Sequence, residues 1–387
     1  MSSQSVQLDS FLHTSKRFGA TAKQGVDVLG TKKHVTLVAP AFPIKRQITS
    51  DGNVAFASDS VFKLPSSGYC EGLEVKSFLT QTTTQPYANY IGAVLPYEIN
   101  LMADQETLHE YKYPPVFIYW LSKLKGEEAR DKQLLAVGGT ALGTAGTSYV
   151  MTPIPTFFDQ IVAPGATPLN LSKFKKSPHL IYKCRTLAAS VISGSTGGAI
   201  TSQWLICYLS ESSPALKNLH KARVSDFHKS INFYTNELNA VETATATSID
   251  ISACKGNIKR LMVMARLTSE LDAEAYYVLH EVDSIRTRVD GAEDWVFQQA
   301  EEGEADFLRY NHGEGFNSTL GYPYIIPYGH SNTKQYATNH VGGMHSAKIN
   351  KHEIEIVHSG GAQKKIDILA IQSAIFKYDD GNMIRLL

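Results

Sequence analysis

From about Val35 onward the chain alternates short apolar runs with clusters of Gly, Pro, Asn, Asp and Ser. Runs of this length, bounded by turn residues, predict β-strands. In the first half they fall near residues 34–39, 53–64, 73–81, 89–101, 116–122, 148–152, 178–187 and 200–209. In the second they fall near 225–235, 246–252, 258–267, 276–288, 322–329, 352–358 and 365–376. HEIEIV sets Glu353 and Glu355 against Ile354 and Ile356, the pattern of a strand with one wet face. KKIDILAIQSAIF is apolar on both faces and predicts a central, buried strand. Ser193–Gly198 reads as a hairpin-like turn. Helical patterns are few. Residues 123–133 suit a short exposed helix, and 212–222 a linking helix with Pro214 near its start. GAEDWVFQQAEEGEADFL (291–308) is the strongest helical candidate, decorating a long loop.

Two local matches recur between the halves. Cys70-x-Gly72 aligns with Cys254-x-Gly256 at an offset of 184, each opening an apolar strand. Ile99 and Asp104 align with Ile285 and Asp290 at an offset of 186, each ending a strand on an Asp-containing turn. Two matches in the same order at nearly equal offsets imply a duplicated domain rather than a solenoid repeat. About eight short strands per half, with no helix between successive strands, exclude a βαβ design. The predicted fold is all-β: two eight-stranded antiparallel jelly rolls in tandem, with short decorating helices and long loops. The expected organisation is an N-terminal arm over 1–30, a first roll over 31–211, a linker helix over 212–222 and a second roll over 223–387. A length of 387 residues suits two such domains.

Composition narrows the function classes. The counts of Lys+Arg and Asp+Glu are both 37, so no cationic excess offers a nucleic-acid surface. Near-zero net charge also removes the repulsion that opposes association. Cys70, Cys184, Cys207 and Cys254 lie in no zinc spacing. Cys184 and Cys207 sit within apolar runs, as buried free thiols in a reducing compartment would. No apolar leader opens the sequence, and the uncharged stretch from Gln133 to Phe158 holds too much Gly and Pro for a membrane span. A soluble protein made in the cytoplasm is expected.

HSNTKQYATNHVGGMHSAKINKHEIEIV (330–357), KKIDILAIQSAIFKYDDGNMIRLL (364–387), VFKLPSSGYCEGLEVKSFL (61–79) and the Asp290-Gly291 turn together carry a resemblance. The chain resembles the double jelly-roll major capsid proteins of tailless icosahedral viruses. The resemblance implies a homotrimer whose six rolls form a pseudo-hexagonal capsomer. Capsomers would tile a shell with their neighbours and with penton and minor capsid proteins, in a virion that can enclose a lipid membrane. An arm bearing Val6, Leu8, Phe11, Leu12 and Phe18 would dock on a neighbouring subunit or on that membrane. No enzyme activity, cofactor, metal or sequence-specific nucleic-acid binding is expected.

Candidate chemistry competes weakly. GGTALGTAG (138–146) lacks the following helix of a dinucleotide loop, because Pro153 and Pro155 arrive within a strand-like run. Ser195 lacks the flanking glycine of a nucleophile elbow. His312, His330, His340 and His345 follow no zinc spacing. Asp290, Glu293 and Asp294 could form a glycosidase carboxylate pair, but more often mark a turn and a helix start. The sequons at Asn170 and Asn317 matter only in a secretory pathway. The competing reading is a two-roll carbohydrate-binding or glycoside-cleaving protein. It calls for a secretion signal and an exposed aromatic platform, whereas Trp120, Trp204 and Trp295 sit in runs expected to be buried.

Overall fold

The computed structural model describes residues 41–81, 87–139, 142, 146–163, 166–192, 198–212, 227–241, 246–268, 276–298, 301–303, 305–306, 320–328, 343–358 and 362–386. The strand predicted at 34–39, all but the last residue of the turn at 193–198 and all but the first residue of the linker helix lie outside these.

The first half holds β1 (Ala41–Thr49), β2 (Asp59–Lys63), β3 (Tyr69–Gln81), β4 (Pro96–Ala103), β5 (Glu106–Lys112), β6 (Gly146–Ile154), β7 (Leu169–Asn170), β8 (His179–Cys184) and β9 (Ala199–Ser212). The second holds β10 (Phe227–Val241), β11 (Thr247–Asp250), β12 (Asn257–Leu267), β13 (Ser284–Val289), β14 (Ala292–Phe297), β15 (Tyr324–Pro327), β16 (Met344–His345), β17 (His352–Val357), β18 (Lys364–Asp379) and β19 (Asn382–Leu386). The first half pairs its strands β1-β9-β3-β6 and β2-β8-β4-β5; the second pairs β10-β18-β12-β15 and β11-β17-β13-β14. With the short strands β7, β16 and β19 set aside, the two orders are identical. Each half is an antiparallel jelly roll.

The duplication extends to register. In the β4–β5 hairpin Leu101 pairs with His109 and Met102 with Thr107, leaving Leu108 as a bulge. In the β13–β14 hairpin Thr287 pairs with Trp295 and Arg288 with Glu293, leaving Asp294 in the same place. Asp104 and Asp290 both take positive φ, 54° and 49°, at the turn. The Ile99–Ile285 match is therefore correct to the residue. The cysteine match is not. β3 bulges at Glu71, after Cys70, and β12 bulges at Lys259, after Ile258. Cys70 thus takes the place of Ile258, four residues beyond Cys254.

Several element assignments change: the expected strand 89–101 is a helical turn followed by β4, the expected strand 276–288 begins only at Ser284, and β5 was not expected. Residues 116–122, expected as a strand, belong to helix α2 (Tyr113–Ser122), which follows the single turn α1 (Ile91–Val94). Pro114 and Pro115 stand at its first positions, where a missing N–H costs nothing. Every residue of α2 is buried, so no polar face betrays the helical period. The charged segment after it does form a helix, α3 (Glu127–Ala136). Residues 292–297 form strand β14, not the start of a helix. Asp290-Gly291 has two successive positive φ values, the tight hairpin turn that Asp-Gly favours, and this overrides the acidic helical composition. Among the described residues no helix is long and apolar enough to cross a membrane.

Candidate assembly surfaces

The rolls meet along a seam that explains the two-faced sequence of β18. Leu261, Val263, Ala265, Ile366, Ile368 and Ala370 point into the sandwich of the second roll. Met262, Met264, Leu369 and Ile371, on the other face of the same sheet, join the core of the first. That core supplies aromatic rings from α2, β5 and the chain after β6. Phe157 stacks on Phe376 with ring centroids 3.9 Å apart, and His109 stacks on Phe233 at 5.0 Å. Phe117 meets Tyr277 edge-on at 5.2 Å, and Tyr119 meets Phe233 at 5.8 Å. Polar contacts fix the register of the two rolls. The Tyr277 hydroxyl donates to the Ala93 carbonyl, the Asn170 amide to Tyr378 Oη (2.8 Å) and the Lys112 amide to Thr235 Oγ1 (3.1 Å).

The seam also buries charge. Arg266 and Asp367 are each 3% exposed. The guanidinium donates from Nε (2.9 Å) and Nη2 to Asp367 Oδ2, and from Nη1 to the Tyr276 carbonyl (3.3 Å). Its flat face lies 4.6 Å from the Tyr276 ring centroid, and Arg185 of the first roll lies 5.0 Å from the same ring. Burial alone would lower the Arg266 pKa, but the Asp367 charge more than reverses this, so the guanidinium stays charged. A groove of about 350 Å³ opens along the seam, lined in part by Glu98, Glu110, Lys112, Asn232, Thr235 and Arg385. Burial raises the Glu98 pKa, but Lys112 (2.5 Å) and Lys183 donate to its carboxylate and bring it below the ordinary range. The groove therefore holds a satisfied ion cluster rather than a poised acid or base.

Three buried histidines set a pH dependence. Burial, aided by the Arg385 charge, pushes His109 down to about 3; burial pushes His228 and His352 down to about 4. Their unfolded values are about 6.5. The unfolded chain therefore binds protons that the folded chain refuses, and the contribution present above pH ~6.5 is lost on acidification. Each fully neutral histidine costs about 1.4 kcal/mol per pH unit below that point. Asp159, raised by burial to about 6, works the opposite way: its contribution is present below its unfolded value near 4 and is lost as pH rises. Three groups outweigh one, so the urea midpoint should fall steadily from pH 6.5 to 4, and His109→Leu should flatten the slope. A midpoint independent of pH over that range would show that these imidazoles are not neutral and buried.

The remaining sequence candidates fall into structural roles. Asp290 Oδ1 accepts from the Asn350 and Lys351 amides, at 3.0 and 2.8 Å, closing the hairpin turn. Glu293 lies on β14, 3.8 Å from Arg286. His345 is exposed on β16, while His312, His330 and His340 lie outside the described residues; no metal-binding cluster exists among the described residues. Gly138 and Gly139 follow helix α3 instead of opening one. Asn170 is buried, with its side chain capping the Ser172 amide at 3.1 Å, so its sequon is closed to glycosylation in the folded chain. Ser195, Asn317 and the arm residues Val6, Leu8, Phe11, Leu12 and Phe18 lie outside the described residues. All four cysteines are buried free thiols. Trp120 is buried as expected, but Trp204 and Trp295 are only half-buried.

Sequence reading missed the seam itself. One signal was available: Asp367 is a lone charge inside the apolar run of β18, and such a charge needs a partner. Its partner on β12, the covering helix and Phe157 carry no local mark.

No family model matches the chain, and no curated protein matches it in sequence. Solved structures do match in fold. PBCV-1 VP54 superposes with a TM-score of 0.71 at 11% identity, covering 90% of this chain and 97% of that one. The Faustovirus major capsid protein gives 0.64 at 10% identity, covering 87% and 90%. The mavirus major capsid protein gives 0.52 at 9% identity, covering 89% and 90%. Two rolls of one sheet order, joined along a buried seam, give the chain the double jelly-roll fold found in these viral capsid proteins.

Proposed function

We propose that this chain is the major capsid protein of an icosahedral virion and acts without catalysis. The observation that carries this reading is the fusion of two rolls of identical topology, side by side, through a buried seam. A heterologous contact between like blocks closes into a ring when its rotation permits. Three chains of two rolls each would then form a pseudo-hexagonal trimer, and trimers would tile a shell. Penton and minor capsid proteins would complete the shell, and the arm over residues 1–30 would reach a neighbouring subunit or an enclosed membrane. The two rolls would extend over residues 31–211 and 223–387, joined by a linker over 212–222. Asp290, which closes a turn, and Glu293, which faces Arg286, lend no support to the carbohydrate reading.

Sedimentation velocity and negative-stain microscopy of the purified chain test the proposal. Trimers of hexagonal outline that grow into sheets or shells are expected. Removing residues 1–20 should leave the trimer and impair further assembly. A monodisperse monomer that binds or cleaves oligosaccharide would overturn the capsid reading.

A further inference from the structure

The two rolls present one sheet face in two different states. The bulges at Glu71 and Lys259 align β3 with β12, so that the Gly72–Tyr208 pair corresponds to Arg260–Ile371. From that point Glu74, Lys76 and Phe78 occupy the places of Met262, Met264 and Arg266. Trp204, Ile206 and Tyr208 occupy those of Asp367, Leu369 and Ile371. Lys45 pairs with Tyr208 as Phe233 pairs with Ile371. In the second roll all seven positions are at most 3% exposed, because the first roll lies on them. In the first roll only Ile206 is buried, and Tyr149 beside Phe78 is 56% exposed. No described part of the chain covers this face.

Its chemistry suits burial. Phe78 meets Trp204 edge-on at 4.9 Å. The Lys76 ammonium lies 3.9, 4.9 and 5.8 Å from the ring centroids of Tyr149, Phe78 and Trp204. Large aromatic rings with a cation held over them are the composition of interface hot spots.

The internal seam indicates the occupant. There, the outer sheet face of one roll meets the β5 side of the other, where His109 and Tyr111 contact Phe233. The counterpart of β5 in the second roll is β14, which shares its hairpin and its bulge. Trp295 stands at the place of His109, and neighbouring Val296 is exposed. Glu293 and Asp294 are exposed on this side, with Arg286 3.8 Å from Glu293, and Glu74 accompanies Lys76 on the receiving face, so both surfaces carry mixed charge. Among the described residues, one sheet face and one roll side thus lack the contact that their duplicates make. We propose that the Lys76–Phe78–Tyr149–Trp204 face receives the β14 side of the second roll of another copy of this chain. Three such contacts, alternating with three internal seams, close a ring of six rolls. The assignment rests on the capsid reading and specifies which surfaces build its trimer.

Sedimentation velocity of the full chain, with Lys76→Glu and Tyr149→Glu made separately, tests it. Each substitution should raise the concentration for half-association about tenfold or more, with circular dichroism unchanged. Adding Glu293→Lys and Asp294→Lys to Lys76→Glu should recover part of the loss. A second readout is Tyr149→Cys, whose thiol is the one exposed thiol among the described residues, since all the native cysteines there are buried. It should be shielded from thiol reagents in the oligomer and open on dilution. A trimer undiminished by both glutamates, or an introduced thiol equally shielded in the monomer, overturns the face assignment and leaves the capsid reading standing. A wild-type chain that stays monomeric at every concentration overturns the capsid reading itself.

Discussion

Asp367→Ala should destabilise the chain by about 3–5 kcal/mol, the usual result of removing one partner from a buried ion pair. That is a large fraction of the ~5–15 kcal/mol that holds a typical domain folded. The substitution leaves the Arg266 guanidinium 3% exposed, its carboxylate gone and one bond to the Tyr276 carbonyl remaining. Lys365, which lies 2.8 Å from Glu237 and 3.9 Å from Asp367, is left with the former alone. Urea unfolding followed by circular dichroism measures the loss directly. The double variant Arg266→Met/Asp367→Leu should regain most or all of it, because two apolar side chains need no compensating charge. That contrast would show that the pair is not a net source of stability. An unchanged midpoint for Asp367→Ala would mean that water reaches Arg266 and that the first roll does not cover this face.

How far the sequence discloses such features depends on whether they are local. HEIEIV carries its period within six residues and became β17 as expected. The Asp104 and Asp290 turns are set by short-range backbone preference, and they align the halves correctly. α2 fails for a different reason. It is buried on every side by groups from both rolls, so its sequence holds apolar residues throughout, and Val, Ile, Phe and Tyr then read as a strand. The apolar run of β18 reads correctly as buried on both faces, yet what buries it cannot be read locally. One face meets β17 and its sheet, while the other meets a helix and an aromatic segment more than two hundred residues away in sequence. The offset between Cys70 and Cys254 misled because chemical identity is not register. The bulge at Glu71, which fixes the true alignment, leaves no mark in composition.

Phe157→Ala should cost about 3–5 kcal/mol, the range for deleting a buried aromatic ring. Phe157 is 1% exposed and belongs to the first roll, yet its ring stacks on Phe376 of the second at 3.9 Å with an interplanar angle of 17°. Phe158 at 5.2 Å and His109 at 6.1 Å close the cluster, and the Ser230 hydroxyl donates to the Phe157 carbonyl. The cavity would open between the rolls, where neither sandwich can collapse without breaking its own sheet. A double-mutant cycle with Phe376→Ala should return a coupling of about 0.5–1.5 kcal/mol, beyond area burial alone. Ile354→Ala makes the comparison: it empties space inside the second sandwich only, and its ~2–5 kcal/mol loss should leave the angle between the rolls intact. At a temperature where both variants remain folded, Phe157→Ala should therefore weaken trimer formation more than Ile354→Ala does. A ring of six closes only if each internal seam holds its rotation. Equal trimer affinity in the two variants, measured by sedimentation equilibrium, would show that the seam does not set the geometry of assembly.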